Sequence, residues 1–138
     1  HPAPPLLPAA PAARARVRSI ALDIACDIHP LDNLRVLRYL LHTVGTSEAQ
    51  KDAWYNYWID VGLEALETRV ARDAATGRFC HGDTPTLADV CLVPQLANAR
   101  RVNLDLSPYP TLTRIEAACL ALPAFADAQP ARQPDAEP

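Results

Sequence analysis

The feature that most constrains this chain is the spacing of its apolar residues. Val17, Ile20, Ile24, Ile28, Leu31, Leu34, Leu37 and Leu41 recur at steps of three and four, which places them on one stripe of a helix. The stripe predicts a long amphipathic helix over roughly residues 12–43, bent near Pro30. A proline inside a helix removes one backbone hydrogen bond and crowds the carbonyl four residues back, at a cost of about 3 kcal/mol. Gly45 fits the C-terminal stop.

The same reasoning partitions the rest. Ser47-Glu-Ala-Gln50 matches a capping box, in which serine caps one backbone N–H and glutamine reaches back to another. Behind it run two apolar sets, Trp54, Trp58, Val61, Ala65 and Ile59, Leu63, Leu66, Val70. So wide an apolar arc predicts a central helix packed on more than one side, ending before Gly77. Thr86 and Asp89 repeat the capping signal, with Val90, Val93, Leu96 and Ala97 expected inward and Pro94 expected to interrupt the helix. A fourth helix follows Pro110 through Leu112, Ile115, Ala118 and Leu122, and Pro123 starts a short last turn. No segment alternates over five or more residues, so the expected fold class is an all-α bundle.

Composition sets outer limits. The 138 residues make one domain's worth of chain, and 49% hydrophobic with 21% charged residues suits a packed globule. A net charge of −3 gives no electrostatic case for nucleic acid or an anionic membrane, and no apolar run reaches the roughly 20 residues a membrane span needs. The four cysteines, Cys26, Cys80, Cys91 and Cys119, are scattered, which fits reduced thiols and a cytoplasmic protein. Cys26-x-x-His29 and Cys80-His81 are the only close pairs, and neither has the spacing of a metal site. The chain has no methionine and begins at His1, so it reads as a piece of something longer. Residues 1–12 read as a proline-rich linker, 13–128 as the helical domain and 129–138 as a flexible tail.

Four segments in order, "DIHPLDNLRVL", "GDTPTLADVCLVPQLANARR", "DLSPYPTL" and "RQPD", resemble the C-terminal helical domain of zeta-class glutathione transferases, the group that includes maleylacetoacetate and maleylpyruvate isomerases. The resemblance runs from about residue 14 to residue 135. The Thr-x-x-Asp box is shared by glutathione transferases at large, whereas "TLADVCLVPQLANARR" is narrower and points to the zeta class. The resemblance implies a bundle of the transferase C-terminal type and an absent N-terminal thioredoxin-like domain, which would hold most of the glutathione and support its thiolate. It also implies glutathione as cofactor, a small dicarboxylate-like substrate and a homodimer. The reaction implied is cis–trans isomerisation of maleylacetoacetate or maleylpyruvate in the breakdown of aromatic amino acids or other aromatic compounds. The chain alone is then expected to be inactive, with no catalytic residue of its own.

The resemblance also assigns residues. His29, Asn33, Leu34 and Arg35 match positions that contact glutathione, and some relatives carry glutamine at the histidine position, which points to hydrogen bonding rather than proton transfer. His29 and Asn33, four apart, would share a helix face, while Asp32 offers Arg35 a plain surface ion pair. Arg101 matches the arginine that binds a substrate carboxylate, a task suited to a planar two-pronged donor. Arg100 is left to complement the negative end of its helix. Thr86 and Asp89 are assigned to folding, and Trp54, Tyr57 and Trp58 to the core, with a substrate wall as the alternative. A Cys26–His29 nucleophilic pair is the minor reading, since cysteine is among the most buried residue types. Two rivals stay open: a non-catalytic helical interaction module, and a zeta-class transferase acting on haloacids or other small electrophiles.

Overall fold

In a computed structural model, described for residues 3–136, the chain is helical, and no strand forms among those residues beyond one isolated bridge between Thr76 and Gly82. Helix α1 covers Pro11–Leu22, α2 His29–Leu31, α3 Leu34–Tyr39, α4 Glu48–Arg72, α5 Leu87–Arg101, α6 Pro110–Leu120 and α7 Pro123–Ala126. Asp23–Ile28 and Leu40–Val44 are π-helical, and Pro130–Arg132 is a 3-10 turn.

The expected single long helix is therefore several pieces. Before Pro30 the register widens, so that the His29 amide donates to the Ile24 carbonyl, five residues back. A widened turn of this kind commonly marks a functional site. The helix then stops at Leu31. Asp32 leaves helical geometry (φ −106°, ψ 6°), and extended Asn33 (φ −65°, ψ 142°) caps a new helix, its Oδ1 accepting from the Arg35 amide at 3.1 Å. The bend is a break in the helix rather than a kink. Leu34 accordingly leaves the buried stripe and is 59% exposed. Gly45 ends the run in the left-handed region at φ 80°, as its position suggested.

The core joins Val17 and Ile20 of α1, Ile24 and Ile28 of the π turn, Ile59, Leu63, Leu66 and Val70 of α4, Leu92, Leu96 and Ala99 of α5, and Leu112, Ile115 and Cys119 of α6. Helix α5 packs against α1 and α6, and α4 packs against the π turn Asp23–Ile28 and α6, so α4 meets more than one neighbour as expected. Its buried arc is narrower than expected. One stripe of α4 is buried, but Trp54 and Trp58 are only half-buried, Tyr57 is 59% exposed, and Val61 and Ala65 lie outside. Pro94 does not interrupt α5, which runs unbroken through it. Of the four residues expected inward there, Leu96 is buried, Val93 and Ala97 are half-buried and Val90 is exposed.

Both capping boxes form. Asp89 does more than cap: it is fully buried, and its Oδ1 accepts from the Cys80 amide at 2.8 Å. Its Oδ2 accepts from the Thr86 amide at 2.7 Å and the Thr86 hydroxyl at 2.9 Å. One carboxylate thus fastens the loop before α5 to the start of that helix. The same loop is gripped from α1 by Arg16, which donates to Asp73 at 2.6 Å, the Cys80 carbonyl at 2.6 Å and Thr76 at 2.8 Å.

Candidate functional site

The break between α2 and α3 decides where the first group of selected residues sits. His29 and Asn33 do not share a helix face, because Asn33 lies beyond the helix end as the next N-cap. A turn lies between them, closed by the Asp32 amide donating to the His29 carbonyl at 3.2 Å. His29 and Arg35 are exposed. Asn33 spends its carbonyl oxygen on the Arg35 amide, which leaves its Nδ2 group to donate elsewhere. The Arg35 side chain has no ion pair among the described residues, which corrects the expected link to Asp32.

Asp32 is instead buried at 5% exposure, and neither carboxylate oxygen has a hydrogen-bond partner. Burial raises its carboxyl to about 7. Sequence reasoning missed this residue, since an aspartate beside an arginine in a helical pattern reads as solvated. Only the break turns it inward.

Arg101 and Arg100 end α5 and behave differently. Arg100 makes a two-pronged ion pair with Glu116 of α6, a buried carboxylate, rather than merely answering its helix terminus. Arg101 has no carboxylate partner among the described residues. Its Nη2 donates to the Tyr55 hydroxyl at 2.8 Å and to Asn98 Oδ1 at 2.7 Å. Tyr55, on the buried stripe of α4, went unremarked in the sequence because its partners come from another helix.

Helix α4 joins the two groups. Trp54 donates its indole N–H to the Leu31 carbonyl at 2.9 Å, beside the break, and the next residue, Tyr55, meets Arg101. Trp54 and Trp58 stack edge-on at 5.6 Å between ring centres. Neighbouring Gly62 allows α4 to press against the π turn, since a Cβ there would lie 2.3 Å from Ile28 Cγ1.

Cys26 is exposed rather than buried, and it makes no hydrogen bond with His29. Cys80 and Cys119 are buried, and burial pushes the Cys119 thiol up to about 12, so neither is poised as a nucleophile. No cluster of three potential metal ligands occurs among the described residues. Among the described residues no helix is long and apolar enough to cross a membrane.

An apolar cleft of about 1140 Å³ lies elsewhere. It is bounded by the Pro4–Leu6 segment, Val90 and Val93 of α5, and Leu122 and Phe125 near α7. None of His29, Asn33, Leu34, Arg35 or Arg101 lines it.

The family pattern described as glutathione S-transferase, C-terminal domain, matches residues 59–127. The chain belongs to that family. Over 136 residues it is 51% identical to a probable maleylacetoacetate isomerase of Vibrio cholerae, which covers 99% of this chain and 62% of that relative. It superposes with a TM-score of 0.95 and 50% identity on a holo maleylpyruvate isomerase described as a bacterial zeta-class glutathione S-transferase, covering 99% of this chain and 64% of that one. A maleylacetoacetate isomerase of Methylobacterium extorquens solved with malonate and glutathione gives a TM-score of 0.94 at 42% identity, over 97% of this chain and 63% of that one. The transferase domain described here thus spans somewhat under two thirds of the length of these relatives.

Proposed function

We propose that this transferase domain is the substrate-binding, C-terminal part of a glutathione-dependent cis–trans isomerase acting on maleylacetoacetate or maleylpyruvate, in the breakdown of aromatic amino acids or other aromatic compounds. Arg101 carries the reading. It is a guanidinium with no carboxylate partner among the described residues, in a domain related to an isomerase solved with a dicarboxylate and glutathione. With Nη2 held by the fold, the rest of the guanidinium is left to donate to a substrate carboxylate.

The donor set at the helix break suits glutathione, whose two carboxylates and peptide carbonyls are acceptors. His29, the Nδ2 group of Asn33 and the guanidinium of Arg35 would hold it, and exposed Leu34 would lie against its backbone. Bound glutathione supplies the thiolate for reversible addition to the conjugated double bond. Arg101 contributes by placing the substrate and by a positive charge near the oxygen that gains electron density.

The remaining third of the relatives' length supports an N-terminal thioredoxin-like domain in the whole protein, where the chain described here would be inactive alone. The apolar cleft beside Pro4–Leu6 is the natural seat for that domain. Tyr39, Val44 and Tyr57, each more than half exposed, suit cover by a second copy in a cytoplasmic homodimer. Replacing Arg101 by alanine in the full-length protein tests the reading: an isomerase loses substrate affinity, whereas a helical interaction module has no turnover to lose. Turnover of haloacids in preference to the maleyl substrates would move the reading to another zeta-class activity.

A further inference from the structure

Adjacent arginines at the end of α5 differ in what holds them. Arg100 is neutralised by Glu116. Arg101 is held by two neutral acceptors, the Tyr55 hydroxyl and Asn98 Oδ1, so it is oriented without losing its charge. A carboxylate in their place would compete with the substrate.

Three hydrogen bonds tie this group together. Tyr55 has one hydroxyl hydrogen, which goes to Asn98 Oδ1 at 2.6 Å. Its lone pairs then face Arg101 Nη2, which donates to the hydroxyl and to Asn98 Oδ1. The three bonds close a triangle. Tyr55 is only 4% exposed and rooted in α4, and Asn98 lies one turn before Arg101 in α5. An unrestrained arginine samples many rotamers, and a preformed triangle removes that freedom before substrate arrives.

We propose that Tyr55 and Asn98 are positioning residues that aim Arg101 at the substrate carboxylate, and so favour acid-bearing substrates in this site. The proposal rests on the isomerase reading for its substrate, while the orientation of Arg101 is independent of it.

The test uses the full-length protein, with maleylpyruvate as substrate and saturating glutathione. Tyr55→Phe, which removes one oxygen, should raise KM about fivefold and change kcat less than about twofold, with folding intact by thermal melting. Asn98→Ala should act in the same direction. In an Arg101→Ala background, Tyr55→Phe should add nothing, because the group it positions is gone. Independent, multiplying effects of Tyr55→Phe and Arg101→Ala would overturn the proposal, as would an unchanged KM in Tyr55→Phe. Absence of any isomerisation by the unaltered protein would refute the functional reading instead. The orientation claim is then decided by nitrogen NMR of Arg101: slow rotation of its Nη2 group that becomes fast in Tyr55→Phe supports it, and equal rates in both overturn it.

Discussion

The indole N–H of Trp54 donates to the carbonyl of Leu31 at 2.9 Å, at the last residue before the chain leaves α2. A carbonyl at a helix end needs a partner outside the helix, and α4 supplies this one. The following residue, Tyr55, meets Arg101. Two successive residues of α4 therefore bear on the two halves of the proposed site, one at the break proposed to meet glutathione and one at the arginine proposed to bind a carboxylate.

Trp54→Phe keeps an aromatic ring and removes the donor. The expected loss is about 1 kcal/mol, the usual cost of leaving one partly buried acceptor unpaired. Urea denaturation of the variant checks it, and an unchanged midpoint would mean that water replaces the indole.

Asp32 should make stability depend on pH in a defined direction. Its carboxyl lies near 3.8 when solvated and is raised to about 7 by burial. The folded state therefore holds the proton more tightly, and the associated stability is present below about pH 4 and lost as pH rises through about 7. Asp32→Asn removes that dependence. Relative to the unaltered protein the variant should gain with rising pH, by about 2 kcal/mol between pH 5 and 8, as read by denaturation at both values. A constant difference would show that Asp32 is ionised and solvated.

The two capping boxes should differ in weight. Ser47 and Gln50 are exposed, so Ser47→Ala should cost about 1 kcal/mol. Asp89 is fully buried with three donors converging on it. Asp89→Ala should cost about 3 kcal/mol or more, because two amides and a hydroxyl lose their partner out of reach of water. Thermal melting of both variants gives the order directly.

Gly62→Ala should destabilise despite alanine's better helix propensity, worth about 1 kcal/mol. The new methyl would lie 2.3 Å from Ile28 Cγ1, where overpacking costs typically about 1–3 kcal/mol. Truncating the obstacle with Ile28→Ala should make Gly62→Ala neutral or favourable. Melting the single and double variants checks the sign change.

Local signals gave much of this structure. The apolar stripes of α1 and α6, both capping boxes and the stop at Gly45 follow from spacing and from residues within a few positions. What stayed hidden depends on residues distant in sequence. Pro30 announced a disturbance, but a register widened to five residues and a fresh start at Asn33 require the fit of the π turn against α4. Tyr55 looked like any aromatic at a buried position until α5 brought Asn98 and Arg101 to its hydroxyl. Arg101 itself could be selected only by resemblance, since its spacing is that of any basic helix end.

The central claim is the reaction, and its most direct measurement is the conversion of maleylpyruvate or maleylacetoacetate to the fumaryl isomer by the full-length protein, with and without glutathione. Rapid conversion is expected only when glutathione is present, lost or weakened at least about tenfold in apparent affinity by Arg101→Ala. No glutathione-dependent conversion of either substrate by a folded full-length protein would contradict it.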